Sequence, residues 1–534
     1  MSHRYCLRPS AVVGLLMLAV HGELEAACGP VVPLQDPAVR HAFASIAPGQ
    51  DGVAVCGVSA YAPRDLLSFA TAHDLATSGT PTVAGLLDAI EQVYREDGYL
   101  LAEATSIVDP ATGEMAIVMH EGHVERIEVL GLTGDTARHI ESYFTPLVGQ
   151  KPLHSADFER ALMLGSDLSG VDLRSEFQFA SDGEGATLLL SGAQLRRAGS
   201  FSVDNVPLPG DDAVRAFLVE EFYSVATGGD MVRLLGVATH EWNDSYSLAG
   251  TLFYRRPVGD GGAYVEAYAG NAFAQRDYTD VSTDGDQLGI NAAMAFGYAL
   301  QRDLHGYTYV LGEYEYQDAE SRLRTGDVDS VAHAARVHVI RGTTGSDGGQ
   351  RLFSLALSMG GRPNRAADEP PDGDRNFVHG RAALGWIGPL ESLSDRTFLR
   401  AEIHGQWTGD SLPQVEKFTV GHWPYLRGYV PVEALGDRGY AGTVEISHVF
   451  DREGRLHRSI APFLFLDVGE VRDVEPTPGD DSNASLASTG VGMVAALHRS
   501  FSASAWIAVP LEDGTVTEAG DVGFYLSLTK GWGR

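Results

Sequence analysis

The sequence predicts two tandem α+β modules followed by a transmembrane antiparallel β-barrel of about 16 strands. Three observations carry that prediction. A secretory leader opens the chain, one order of helices and strands occurs twice over residues 52–193, and from residue 199 onward the helical period gives way to strand after strand.

The leader is read from Arg4 and Arg8, the apolar run Ala11 to Val20, and the small residues Gly22, Ala26 and Ala27, which together form a signal peptide over residues 1–27. That run is too short to cross a bilayer as a helix. Nothing downstream reaches the roughly 18 to 20 apolar residues a transmembrane helix needs, so any crossing must use strands. Asp and Glu outnumber Lys and Arg by 71 to 39, with no concentrated basic patch, which excludes nucleic acid as a partner. Cys6 lies in the leader, leaving Cys28 and Cys56 for an oxidising compartment, where a disulfide is the favoured reading. Lipidation of Cys28 is the competing one, but Glu25 stands where a lipobox wants an apolar residue.

Residues 28–51 form an N-terminal segment in which Asp36-Pro37 can start a short helix. The first module spans 52–120. Thr80-Pro81 begins a helix whose Val83, Leu86, Leu87, Ile90, Val93 and Tyr94 recur at helical spacing until Gly98, and strands follow at Leu100–Val108 and Met115–Met119. The second module spans 121–193, with a strand at 124–130, a helix capped by Asp135 and another capped by Ser155. In its next strand Val171, Leu173, Phe177 and Phe179 alternate with Asp172, Arg174, Glu176 and Gln178, giving one buried and one wet face.

From 199 to 534 the strands run about 9 to 12 residues each between Gly-, Asp- and Asn-rich turns, and their count is even, as bacterial barrels require. A soluble sandwich or propeller would share the alternation. The leader, the absence of a blade-length repeat, and a final strand with Phe524, Leu526, Leu528 and Trp532 on one face favour the membrane.

The most specific stretch is Gln406-Trp-Thr-Gly-Asp-Ser-Leu-Pro-Gln-Val-Glu-Lys-Phe-Thr-Val-Gly421, followed by Leu426-Arg427-Gly428-Tyr429 and then by Phe465-Leu-Asp467-Val-Gly469. It resembles the two-partner secretion transporters, the TpsB or haemolysin-activator family of the BamA-like outer-membrane superfamily. The resemblance implies that a long loop, residues 409–441, folds back into the barrel with Leu426, Arg427, Gly428 and Tyr429 at its tip. It also implies that Arg427 meets Asp467. Strand alternation independently turns Phe465, Asp467 and Gly469 to the lumen if Leu464, Leu466 and Val468 face lipid. Breaking a fully desolvated pair costs about 3–5 kcal/mol, but a lumen admits water, which lowers the expectation to about 1 kcal/mol.

By the same resemblance the two modules are polypeptide-transport-associated (POTRA) domains in the periplasm, and the barrel lies in the outer membrane of a bacterial cell. The implied partners are a large secreted exoprotein of the TpsA type, outer-membrane lipid and the barrel assembly machinery. His422 departs from the family pattern, which commonly has a second glycine there, and a plug helix ahead of the first module has little chain to form from. A BamA-like insertase and a passive porin are the alternatives. The chain shows no phosphate-binding loop, no Gly-x-Ser-x-Gly and no His-Glu-x-x-His, so neither an enzymatic activity nor a cofactor is expected. His120-Glu121-Gly122-His123 fits no familiar metal spacing and reads as a strand-turn junction.

Overall fold

The computed structural model describes residues 31–34, 40, 51–78, 82–108, 114–179, 185–208, 211–241, 245–276, 285–323, 326–363, 373–422, 425–451, 459–476, 483–498 and 500–533. The signal peptide, Cys28 and the expected helix at Asp36-Pro37 lie outside the described residues.

The N-terminal part holds a four-stranded sheet made of β1 (Val32–Pro33), β2 (Gly52–Cys56), β3 (Glu103–Val108) and β4 (Met115–His120), in the order β1-β2-β4-β3. Two helices accompany it, α1 (Pro63–Ser78) and α2 (Val83–Glu96). The expected helix is α2, and its N-cap is Thr82, whose hydroxyl accepts the Gly85 N–H at 2.9 Å. Its predicted stripe is buried at Val83, Leu86, Ile90 and Tyr94, against Val53, Val55, Leu66 and Ile117. The sequence pattern marks neither α1 nor β2. The apolar positions of α1 are sparse, with Leu66, Leu67 and Ala70 buried, and β2 is a five-residue strand that pairs in parallel with the distant β4.

Glu121 closes this core with its carboxylate. It is fully buried and accepts the Ser59 and Ala60 N–H groups at 2.7 and 2.9 Å, the Tyr94 hydroxyl at 2.8 Å and the Ser59 hydroxyl. Burial by itself would raise its pKa. The donors from Ser59, Ala60 and Tyr94 outweigh burial and hold the carboxyl below its ordinary range.

The next elements are β5 (His123–Leu130), α3 (Gly134–Phe144), α4 (Ser155–Ser166), β6 (Val171–Phe179) and β7 (Gly185–Gln194), with sheet order β5-β7-β6. Asp135 is not the cap of α3: the N-cap position is Thr133, and Asp135 sits in the first turn, where a carboxylate favours the helix dipole. Ser155 is the first residue of α4, and His154 Nδ1 accepts the Ala156 N–H at 3.1 Å. The apolar face of β6 is only half-buried, and Phe179 is exposed, because β6 is an outer strand of a three-stranded sheet.

Sixteen antiparallel strands then close a barrel. They are β8 (Arg197–Leu208), β9 (Asp211–Tyr223), β10 (Met231–Glu241), β11 (Tyr246–Val258), β12 (Ala263–Arg276), β13 (Gly285–Arg302), β14 (Gly306–Leu323), β15 (Gly326–Thr344), β16 (Gln350–Gly361), β17 (Asn376–Leu390) and β18 (Ser394–Thr408), and, after the loop that carries β19 (Phe418–Val420) and β20 (Ala434–Gly436), β21 (Arg438–His448), β23 (Ser459–Arg472), β24 (Asn483–His498), β25 (Phe501–Pro510) and β26 (Gly523–Trp532). A two-residue strand, β22 (Phe450–Asp451), extends the β21 side and pairs with β23. The last strand returns to the first, from Ser527↔Asp204 to Trp532↔Gly199, so no sheet edge is left in the barrel along that length.

Alternation along β23 shows which side faces what. Leu464, Leu466 and Val468 are 59, 48 and 40 % exposed, whereas Phe465 and Asp467 between them are 3 and 0 % exposed. On β13 the exposed side likewise carries Leu288, Ile290, Met294, Phe296 and Leu300. An apolar band of this extent is untenable in water and is the surface of a membrane barrel. Several strands exceed the expected length, β15 reaching 19 residues. The loop before β21 ends at residue 437 rather than 441. Arg438 already pairs with Arg472, although Gly439 and Gly442 interrupt the apolar alternation by which a strand is recognised.

Candidate functional site

The site is built by residues 409–437, the segment between β18 and β21. It enters the lumen with Leu412 packed on Ala332, Ala334 and Phe377. β19 and β20 then pair as a hairpin from Phe418↔Gly436 to Val420↔Ala434. Between the two hairpin strands the Leu426 N–H donates to the His422 carbonyl at 2.8 Å. Arg427 is the next residue.

Asp467 on β23 and Thr443 on β21 are register partners, so neighbouring strands present both to the lumen at one level. The Arg427 guanidinium grips Asp467 with both arms, Nε to Oδ2 at 2.9 Å and Nη2 to Oδ1 at 2.8 Å, and its backbone N–H adds a third bond at 3.1 Å. Nη2 also donates to Thr443 Oγ1 at 2.8 Å, Nη1 reaches Glu445 at 2.7 Å, and the Thr443 hydroxyl donates to Asp467 at 2.6 Å. The Phe465 ring lies 3.6 Å from the guanidinium carbon, adding a cation–π contact. Arg427 is 4 % exposed and Asp467 0 %. Water does not reach the pair, which overturns the argument for about 1 kcal/mol and restores the desolvated range of about 3–5 kcal/mol for removing one partner.

The flanking motif residues set the fit. Leu426 and Tyr429 are buried among Val420, Ala441, Val471 and Leu486, and the Tyr429 hydroxyl lies 2.8 Å from the carbonyls of both Ala487 and Glu512. Gly428 has φ +98°, in the region that favours glycine, and a Cβ on Gly469 would come within 2.8 Å of Leu426 Cδ1. Position 422, where the family commonly has glycine, has φ +55°. His422 therefore occupies a left-handed conformation that glycine takes without steric cost. Cys56 is buried and disulfide-bonded, and its expected partner Cys28 lies outside the described residues.

Sequence reasoning missed a second cluster, at the base of the loop. Glu416 is 1 % exposed; its Oε1 accepts Arg336 Nη2 at 2.6 Å and its Oε2 lies 3.0 Å from His379 Nε2. Arg336 also binds Glu315 at 2.8 Å and Ser358 at 2.8 Å, and Tyr268 donates to Glu315 at 2.6 Å. The Glu416 carbonyl accepts Arg381 Nη2 at 3.0 Å and Gln406 Nε2 at 3.1 Å. The Glu-Lys-Phe segment was legible as a motif, but nothing local names partners that come from β14 to β18. Glu433 was missed as well: its carboxylate accepts the Val516 and Thr517 N–H groups at 2.6 and 3.1 Å and the Thr517 hydroxyl at 2.7 Å.

A closed barrel with an apolar outer band, and a loop bound inside by a buried ion pair, define an outer-membrane transporter of the two-partner secretion type. The chain belongs to the haemolysin secretion/activation protein family ShlB/FhaC/HecB, whose sequence model matches residues 202–495, more than half of its length. It is 22 % identical to the hemolysin transporter protein ShlB of Serratia marcescens, covering 82 % of this chain and 78 % of that protein. It is 24 % identical to the hemolysin transporter protein HpmB of Proteus mirabilis, covering 79 % and 75 %. Among solved structures, CdiB from Escherichia coli shares the fold with a TM-score of 0.69 at 15 % identity, over 99 % of this chain and 93 % of that one. CdiB from Acinetobacter baumannii has a TM-score of 0.65 at 14 % identity, covering 90 % and 89 %.

Proposed function

We propose that this transporter binds an unfolded exoprotein in the periplasm through two POTRA modules, residues 52–120 and 121–193, and secretes it through the barrel. The observation that carries the reading is the loop bound inside the lumen by Arg427 and Asp467, since a passive pore has no use for such a device. Two haemolysin transporters among its relatives support a secreted exoprotein as the partner. The modules offer a binding mode: among the described residues β3 pairs on one side only, with Ile107 and Val108 exposed, so an extended segment can add a strand there. Outward passage without a nucleotide site would draw on the folding of the emerging chain.

Deleting the gene and comparing proteins released into the medium tests this reading. Loss of one or a few large exoproteins, which instead accumulate in the periplasm, is expected. Loss of many outer-membrane proteins would mean an insertase, and an unchanged medium would refute secretion. Protease added to intact cells should spare residues 52–193, and their cleavage would refute the periplasmic placement.

A further inference from the structure

Glu416 takes no part in the contacts that hold the Arg427 tip, yet it is buried as deeply. Its two carboxylate oxygens are divided between Arg336 on β15 and His379 on β17, and its carbonyl is held by Arg381 on β17 and Gln406 on β18. The side chain and main chain of one residue are thus both bound to the wall. The tip, by contrast, binds β21, β23, β24 and the turn after β25, through Thr443, Glu445, Asp467, Ala487 and Glu512. The two sets share no partner residue. Between them lie Gly421 and His422 with φ +133° and +55°, two successive positive-φ residues at which the chain changes direction.

We propose that Glu416 is a second, independent anchor of the inward loop, a positioning residue that holds the loop's base on the wall while the Arg427 tip is released, with Gly421 and His422 as the pivot. The inference rests on the loop serving transport, as proposed above. Its independence follows from charge: if Glu416 is lost, Arg336 still has Glu315 at 2.8 Å, so the wall keeps a closed ion pair. Contacts without a shared partner add, whereas contacts in one network do not.

Trypsin on intact cells reads the two anchors at different bonds, because Lys417 lies beside one and Arg427 is the other; the Lys417 ammonium also pairs with Asp473 at 2.7 Å, so Asp473→Asn, which frees that ammonium without touching Glu416, is the control for cleavage there. Proteolysis follows the population of the opened segment. Glu416→Gln should speed cleavage after Lys417 by about tenfold or more and leave Arg427 protected, whereas Asp467→Ala should do the reverse. Glu416→Asp, which keeps the charge but shortens the reach, should fall between wild type and Glu416→Gln. If Glu416→Gln does not assemble, His379→Phe removes one partner, leaves Arg336 in place, and should open Lys417 more weakly. Continued protection of Lys417 in the assembled variants, or its opening by Asp467→Ala alone, would overturn the second anchor. Normal secretion by every variant would instead overturn the loop's role in transport, whatever the cleavage pattern.

Discussion

Truncating Arg427 and truncating Asp467 should differ, although they break the same ion pair. Arg427→Ala leaves a carboxylate that is 0 % exposed with the Thr443 hydroxyl as its remaining side-chain donor. Asp467→Ala leaves a guanidinium that still holds Glu445 at 2.7 Å and Thr443 at 2.8 Å. The first is an uncompensated buried charge and should cost about 3–5 kcal/mol; the second retains a charge partner and should cost about 2 kcal/mol. The double variant removes both buried charges and should be no less stable than Arg427→Ala alone. Arg427→Lys keeps the charge but cannot span both Asp467 oxygens and Glu445 at once, so it should recover little.

Loss of the folded gel mobility on heating ranks the barrels in detergent, and release of exoprotein into the medium ranks function. The expected order of heat stability is wild type, Asp467→Ala, then Arg427→Ala. All should assemble, since the ladder of strand hydrogen bonds is untouched, and all should fail to secrete. The double variant should secrete no worse than either single one, the mark of residues acting as a unit. Normal secretion by Arg427→Ala, or two single defects that add, would refute the reasoning.

Three further outcomes follow. Mass spectrometry of the mature, non-reduced protein should find Cys28 joined to Cys56, closing a loop worth about 3–4 kcal/mol on the chain-entropy model; a lipidated Cys28, or Cys56 joined elsewhere, would exclude it. Glu121 has a lowered folded pKa, so its contribution is present above the ordinary carboxylate value of about 4.3 and is lost as the pH falls through the lowered value; amide protection at Ser59 and Ala60 should fall in that acid window in wild type and lose this dependence in Glu121→Gln. Gly469→Val should block secretion while sparing assembly, because its Cβ would collide with Leu426, and Val468→Ala on the lipid side of the same strand should secrete normally.

The fold was legible wherever burial follows a local period. The stripe of α2 recurs at helical spacing, and the barrel strands alternate because lipid and lumen impose opposite demands on successive residues. The reading lost α1, where the apolar positions are few, and β2, whose stability comes from a parallel partner some 60 residues away. Strand ends were the least readable. β15 extends well beyond its apolar section, and β21 begins at Arg438 among glycines.

The site divides in the same way, and the division explains why one anchor was readable and the other was not. Arg427 and Asp467 each sit in a short pattern that constrains its neighbours: Gly428 needs a positive φ, Gly469 must leave room for Leu426, and Phe465 must face the guanidinium. Such local demands leave a signature in sequence even when the partners are forty residues apart. Glu416 makes no comparable demand on residues beside Arg336 or His379, which reach it simply by lying on the lumen side of long, regular strands. A carboxylate in a loop and an arginine on a strand look like two solvated charges until register brings them to 2.6 Å. Burial then decides their weight, since a charge that is 1 % exposed cannot fall back on water when its partner is removed.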